Sequence, residues 1–255
     1  MFEELSSEML IFLIGAGFIA SFIDSVVGGG GLISVPSLMM TGLSPVVVLG
    51  TNKMAAFMGS ITSTVAFMRS GKIDLKLIKY LFPLSVIGSA LGVFTVRMIP
   101  PDFLKPIVVG MLVIVTIYSL MKKDWGENST YHGMNQKTAI LSGGVAFVLG
   151  FYDGFFGPGA GSFLLFAFLC IGFDFIMAAG NARALNFGSN ISAMIVFTSL
   201  GLVNYAYALP MGIGMIFGAI AGTKMAIVKG ASYVRPLFIF MTVILIGKQL
   251  FDIFK

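Results

Sequence analysis

The chain has 255 residues, of which 57% are hydrophobic and only 11% charged, with a mean hydropathy of +0.99. Soluble domains carry about 25% charged residues, so an ordinary soluble fold is excluded and an all-α integral membrane protein is expected. The net charge of +5 does not mark a nucleic-acid partner, because Lys and Arg fall in short segments between apolar runs, where they report topology.

The N-terminus is acidic, with Glu3, Glu4 and Glu8. A cleavable signal peptide needs a basic start, so the first apolar segment is expected to stay in the mature protein. A full span needs about 20 apolar residues, and the sequence predicts one at 9–27. Four glycines follow at 28–31, too costly for ordinary helix at about 1 kcal/mol each, then a short apolar piece at 32–40. Gly42, Ser44 and Pro45 read as a helix stop, an N-cap and a first helical position. Spans are predicted at 45–68, 80–96 and 106–121, separated by a basic loop at 69–79 and a Pro100-Pro101 loop at 97–105. The polar stretch 122–137 carries Trp125, an interfacial anchor beside Lys122 and Lys123, and the single histidine, His132. Apolar segments resume at 141–152 and 163–171 around a second glycine break at 154–161. Asp174 is placed to cap a span at 175–198, and spans at 206–226 and 236–250 follow. The lone Cys170 allows no internal disulfide and is expected to be packing. No Cys/His cluster has metal-ligand spacing, and neither a metal nor a cofactor is expected.

The second half repeats the first at a shift of 129 or 130 residues: Asp24 falls on Asp153, Gly28 on Gly157, Gly30 on Gly159, Asn52 on Asn181, Gly59 on Gly188, Ser60 on Ser189, Ser63 on Ser192, Gly71 on Gly201, Gly88 on Gly218 and Gly92 on Gly222. The chain therefore divides into transmembrane repeat 1 (1–121), a cytoplasmic linker (122–137) and transmembrane repeat 2 (138–255), each repeat holding a glycine-broken helix hairpin plus three spanning helices. If each repeat crosses an odd number of times, ten loop Lys and Arg residues lie inside and four outside; an even number gives nine against five. The positive-inside rule thus favours inverted repeats with the N-terminus outside. Whether 32–40 and 163–171 cross fully is left open.

Four ionisable residues sit within apolar segments: Asp24, Lys53, Asp153 and Arg183. A mid-membrane charge costs at least about 2.5–3.5 kcal/mol and is functional by default. A purely structural reading pairs Asp24 with Lys53 and Asp153 with Arg183 to hold helices together. Asn52, Gly59, Ser60 and Ser63 fall on one helical stripe, matched by Asn181, Gly188, Ser189 and Ser192. The stripe reads as a polar wall, or more plainly as small residues gluing helices. Helices starting after Gly31 and Gly161 would add free N–H groups and positive dipole ends beside Gly30 and Gly159. Paired glycine-broken segments point to a transporter's binding site. Together with two cations and two amides they suit a small oxyanion. Asp24 and Asp153 are the candidate proton carriers, since burial favours a neutral carboxyl. Gly88-x-x-x-Gly92 and Gly214-x-x-x-Gly218-x-x-x-Gly222 read as close helix packing.

At these residues the chain resembles the TauE/SafE family of sulfite and organosulfur-anion permeases. The likeness is carried by Asp24 before Gly28–Gly31, then Leu32-Ile33-Ser34-Val35-Pro36, Gly50-Thr51-Asn52-Lys53, the run from Gly154 to Ser162, and Asn181-Ala182-Arg183. It implies a multi-pass transporter of the cell (plasma or inner) membrane, moving sulfite, a sulfonate or a related small anion by secondary transport, often outward. The partners so implied are a small anionic substrate and the lipid bilayer. The anion, the direction, the coupling ion and homo-oligomer formation stay open. Leu164-Leu165 stands where Pro36 has no counterpart, a departure from strict symmetry. Two other readings remain: a passive anion channel, and an intramembrane aspartyl protease. The protease class wants Gly-x-Gly-Asp at its second aspartate and Asp24 follows Ser21-Phe22-Ile23, so no enzyme is expected. No phosphate-binding Gly-x-x-x-x-Gly-Lys-Ser/Thr loop points to ATP use.

Overall fold

A computed structural model describes residues 6–96, 129–131, 133, 136–230, 232–234, 236–237, 239–240 and 243. The predicted span at 106–121, most of the linker with Trp125 and His132, and most of the span at 236–250 lie outside them.

The helices with described bounds are α1 (Ser7–Val27), α2 (Gly31–Met39), α3 (Pro45–Arg69), α4 (Leu75–Thr95), α5 (Gln136–Phe155), α6 (Ala160–Ile171), α7 (Phe175–Ser199) and α8 (Tyr205–Lys229), and described residues between 232 and 243 are also helical. No strand occurs among the described residues. Helices α1, α4, α5 and α8 are long and apolar enough to cross a membrane. Their ends follow local chemistry. Ser6 accepts from the Met9 N–H, Asp74 from Lys76 and Leu77, Asp174 from Ile176 and Met177, and Asn204 from Tyr207, each filling a donor that a helix start leaves free. Ser44 sits at the α3 N-cap with Pro45 behind it, but its hydroxyl makes no cap bond.

Three expectations change. The basic loop at 69–79 shrinks to 70–74, because Asp74 caps α4 and draws Lys76 and Lys79 into its first turns; long basic side chains reach the interface from there. Helix α6 begins at Ala160 rather than at 163, since Gly159 turns the chain at φ 87 and frees the next residue for helix. Cys170, expected to be packing, is exposed. The short helices differ: α2 has 9 residues with Pro36 inside, α6 has 12.

Neighbouring contacts fix helix directions. Gly214, Gly218 and Gly222 of α8 lie on Ile14, Phe18 and Phe22 of α1 in step, so these two helices run parallel. Gly88 and Gly92 of α4 lie on Phe147 and Phe151 of α5, again parallel. Gly50 meets Leu202, Gly59 meets Met215 and the Ser63 and Thr223 hydroxyls bond at 2.8 Å, so α3 runs with α8. Ser85 and Ser89 donate to the carbonyls of Leu185 and Ser189, so α4 runs with α7. Against this, Lys53 meets Asn190, Phe57 meets Phe187 and Thr64 meets Arg183, so α3 and α7 are antiparallel. Helices α1, α3 and α8 point one way; α4, α5 and α7 point the other. Apart from Lys53 and Arg183, the described basic residues all fall at one face: Arg69, Lys72, Lys76, Lys79, Lys137, Lys224 and Lys229. The turn before α7 also lies there, held by the Thr130 N–H on the Gly172 carbonyl at 2.7 Å and by Tyr131 stacked on Phe173 at 4.1 Å. Burial, helped by the Asp74 charge, raises the Tyr131 phenol above its ordinary value.

The glycine rows set how near the helices come. A Cβ at Gly218 would stand 2.1 Å from the Phe18 carbonyl oxygen, and one at Gly88 2.2 Å from that of Phe147. The obstacle is backbone, so Gly218→Leu is expected to cost more than about 3 kcal/mol, beyond usual overpacking. Gly15 has nothing within 4 Å of its would-be Cβ; Gly15→Ala should be neutral or add up to about 1 kcal/mol. Thermal midpoints of the two variants in detergent check this contrast.

Candidate functional site

Both helix breaks are built from glycines in the left-handed region, Gly28 at φ 82 and Gly29 at φ 89 in the first, Gly157 at φ 93 and Gly159 at φ 87 in the second. The two breaks meet. A Cβ at Gly28 would stand 2.1 Å from the Ser162 nitrogen, one at Gly31 would stand 3.2 Å from the Pro158 Cα, and the Ser162 hydroxyl donates to the Val27 carbonyl at 3.1 Å. Gly157 leaves room for the Lys53 Nζ, and Gly161 for the Arg183 Nη2, which would lie 2.2 Å from an added Cβ.

The four membrane charges form two pairs beside these breaks, crossed between the halves. Lys53 Nζ donates to Asp153 Oδ1 at 2.7 Å, both side chains 3% exposed. Arg183 Nη1 donates to Asp24 Oδ2, with Arg183 2% and Asp24 25% exposed. The pairing of Asp24 with Lys53 and Asp153 with Arg183 is thereby corrected. Sequence proximity suggested it, but the antiparallel crossing of α3 and α7 carries each cation to the other half's aspartate. Asn186 joins the pairs: its Nδ2 donates to Asp153 Oδ2 at 3.1 Å, and its Oδ1 accepts from Arg183 Nη1 at 3.3 Å. Ser189 also donates to Asp153 Oδ2, Lys53 donates to Asn190 Oδ1 at 3.2 Å, and the Gly30 N–H donates to Asp24 Oδ1 at 3.0 Å. The Arg183 Nη2 is buried with no hydrogen-bond partner among the described residues.

The structure thus gathers Lys53, Arg183, Asp24, Asp153 and Ser189 beside Gly30, Gly157 and Gly161, while Gly31 faces Pro158 and Gly159 faces Phe163 and Leu32. It places three expected site residues elsewhere. Asn52 accepts from Ser34 at 2.6 Å and ties α2 to α3. Asn181 accepts the Asp74 N–H at 2.8 Å and anchors the start of α4. Ser60 turns back on the Phe57 carbonyl of its own helix. Ser63 and Ser192 bond across helices, the former to Thr223 and the latter to the Val86 carbonyl. Asn186 and Asn190 were missed. The repeat puts Phe57 and Ile61 at their places in the first half, so a search for matched polar residues passes over them; their signal is the spacing of three from Arg183 and then four. A cavity of about 820 Å³ lies between α5 and α6, bordered by residues such as Leu141, Val148, Phe163 and Phe166 with no charged side chain, away from the ion pairs.

A bundle of apolar helices with paired breaks and crossed charge pairs is the architecture of a multi-pass membrane protein. The family model Sulfite exporter TauE/SafE matches residues 13–248. The chain is 36% identical over 251 residues to the Probable membrane transporter protein ORF9 of a Sinorhizobium species, covering 98% of this chain and 95% of that one. It is 34% identical over 252 residues to a Probable membrane transporter protein of Haemophilus influenzae (98% and 97% covered), and 35% identical over 249 residues to YfcA of Escherichia coli K12, of the same description (97% and 91% covered). No solved structure matches. The chain belongs to the TauE/SafE sulfite exporter family and is a membrane transporter family member.

Breaking a buried pair by removing one partner costs about 3–5 kcal/mol, because a charge is left alone. Asp153→Asn is expected to lose stability on that scale, and Lys53→Met in the same chain to restore most of it. A double-mutant cycle should couple Lys53 far more weakly with Asp24 than with Asp153, because Lys53 and Asp24 are linked only through Asp153, Asn186 and Arg183. Strong coupling between Lys53 and Asp24 would refute the crossed pairing.

Proposed function

We propose that the protein is a secondary transporter of a small sulfur-containing anion, such as sulfite or an organosulfonate. The anion is bound between two inverted repeats beside Lys53, Arg183 and the glycine breaks. The observation that carries this reading is the pair of crossed, buried ion pairs at the breaks. Lys53 beside Gly157 and Arg183 beside Gly161, in the first turn of α6, bring two cations to the break in a low-dielectric setting, each balanced by an aspartate that an anion could replace. Membership of a family named for sulfite export supports the substrate class.

Inverted repeats are supported by the helix directions. Helix α1 runs with α3, yet α5, its counterpart, runs with α4 and α7; likewise α4 and its counterpart α8 are opposed. Each break then joins a hairpin, with α2 and α6 returning toward the face from which α1 and α5 started. The clustering of basic residues on one face supports assigning that face to the cytoplasm of a plasma-membrane protein, with the repeats at 1–121 and 138–255 joined by a cytoplasmic linker. The backbone contact of Gly28 with Ser162 closes the centre and favours a gated carrier over an open channel. Each aspartate is committed to its own cation, which favours transport over a carboxylate dyad sharing a proton. Asp24 and Asp153 are the groups through which a proton would be coupled.

The test is thermal stabilisation of the purified protein across sulfite, sulfate, thiosulfate, small sulfonates and carboxylates. An anion at 100 times its Kd adds about 2.7 kcal/mol. A sulfur oxyanion is expected to stabilise the wild type and leave the Lys53→Ala/Arg183→Ala double variant unmoved. In proteoliposomes, labelled substrate should exchange against unlabelled substrate by counterflow. Flux that follows voltage and gradient alone would replace the carrier with a channel.

A further inference from the structure

The two ion pairs occupy related places but differ in every particular that governs exchange. Asp153 is closed. Lys53 and Asn186 donate to its two oxygens, Ser189 adds a third donor, and Lys53 is held in turn by Asn190. All five side chains lie in the interior, with Asn186 at 6% exposure. The amides that complete this cage come from α7 alone, since Phe57 and Ile61 stand at the matching places of α3. An incoming anion would have to strip several buried hydrogen bonds to reach Lys53, each leaving an unsatisfied group behind.

The other pair is open in the same respects. Asp24 is 25% exposed, and beyond Arg183 it holds the Gly30 N–H. Its release leaves fewer hydrogen-bonding groups without a partner than release of Asp153 would. Arg183 keeps the buried Nη2 without a hydrogen-bond partner among the described residues, directed at Gly161 in the first turn of α6. Departure of the carboxylate would leave Nη1, Nη2 and the Gly30 N–H convergent between the starts of two helices. That set has the planar, two-pronged geometry that fits a pair of oxygens on one oxyanion, which an ammonium cannot match.

We propose that the Arg183–Asp24 pair is the exchangeable anion site, in which the Asp24 carboxylate holds the place of the substrate until the substrate displaces it, and that Lys53–Asp153 is a fixed clamp between the halves. This rests on the anion-transport reading above and divides roles that reading leaves shared. Asp24 is an intramolecular competitor: its grip on Arg183 lowers the apparent affinity by the fraction of time the site is free.

The experiment titrates sulfite, thiosulfate and methanesulfonate, each separately, against the full chain in detergent and reads the thermal midpoint. Arg183→Lys should weaken the apparent Kd roughly tenfold or more. Asp24→Asn should tighten it, by roughly tenfold, because the competitor is gone. Asp153→Asn should lower the midpoint without any gain in affinity, and Asn190→Ala should do so more mildly. Folded Asp24→Asn recovered only when a probe is present during purification counts as the same gain. Equal tightening by Asp24→Asn and Asp153→Asn, or Arg183→Lys binding as the wild type does, overturns the division of roles while leaving the anion reading intact. A wild type silent to all three probes refutes that reading, and this inference with it.

Discussion

Burying four charges among apolar helices is the constraint on which the rest of the structure depends. A lone ion at mid-membrane is expensive, so each must meet a partner, and the partners sit on helices from opposite halves of the chain. Lys53 on α3 reaches Asp153 on α5, and Arg183 on α7 reaches Asp24 on α1. Each pair ties one half to the other at the level of the glycine breaks. The pairs act as registers: sliding α3 against α7 by one turn would strand both cations.

Glycine does two separate jobs around this centre. At Gly28, Gly29, Gly157 and Gly159 it supplies left-handed backbone, ending one helix and aiming the next. At Gly88, Gly92, Gly214, Gly218 and Gly222 it supplies absence of a side chain, so that α4 rests on α5 and α8 on α1 nearly backbone to backbone. Without hydrophobic driving force between helices in lipid, such close contact is a main source of association. The outer helices thus hold the frame, while α3 and α7 carry the polar residues through its middle. Packing and charge share helices: α1 and α5, which take the glycine contacts, also carry Asp24 and Asp153.

Much of this was legible in the sequence. Caps at Asp174 and the turn at Gly42 to Pro45 were readable because helix starts are decided within a few residues. The packing role of the glycine rows was readable because spacing of four places small residues on one face. The charges stood out because they are rare in such surroundings. Partner choice was harder. Asp24 and Lys53 look like a pair within one repeat, but partner choice is a matter of helix direction and crossing, which no local pattern encodes. Asn52 and Asn181 looked equivalent and central; one holds α2 and the other the α4 turn. Asn186 and Asn190 carried no matched signal, and the structure gives them the connecting roles.

By itself the sequence determined the membrane class, the breaks and the identity of the four charges, because composition, periodicity and backbone preference act over short distances. Only the tertiary structure decided which charge meets which, that Asp153 is caged while Asp24 stands partly open, and that one Arg183 nitrogen has no partner among the described residues. Those outcomes follow from how antiparallel α3 and α7 cross and how closely the glycine breaks approach. They are relations between distant segments that come into being only when the helices pack.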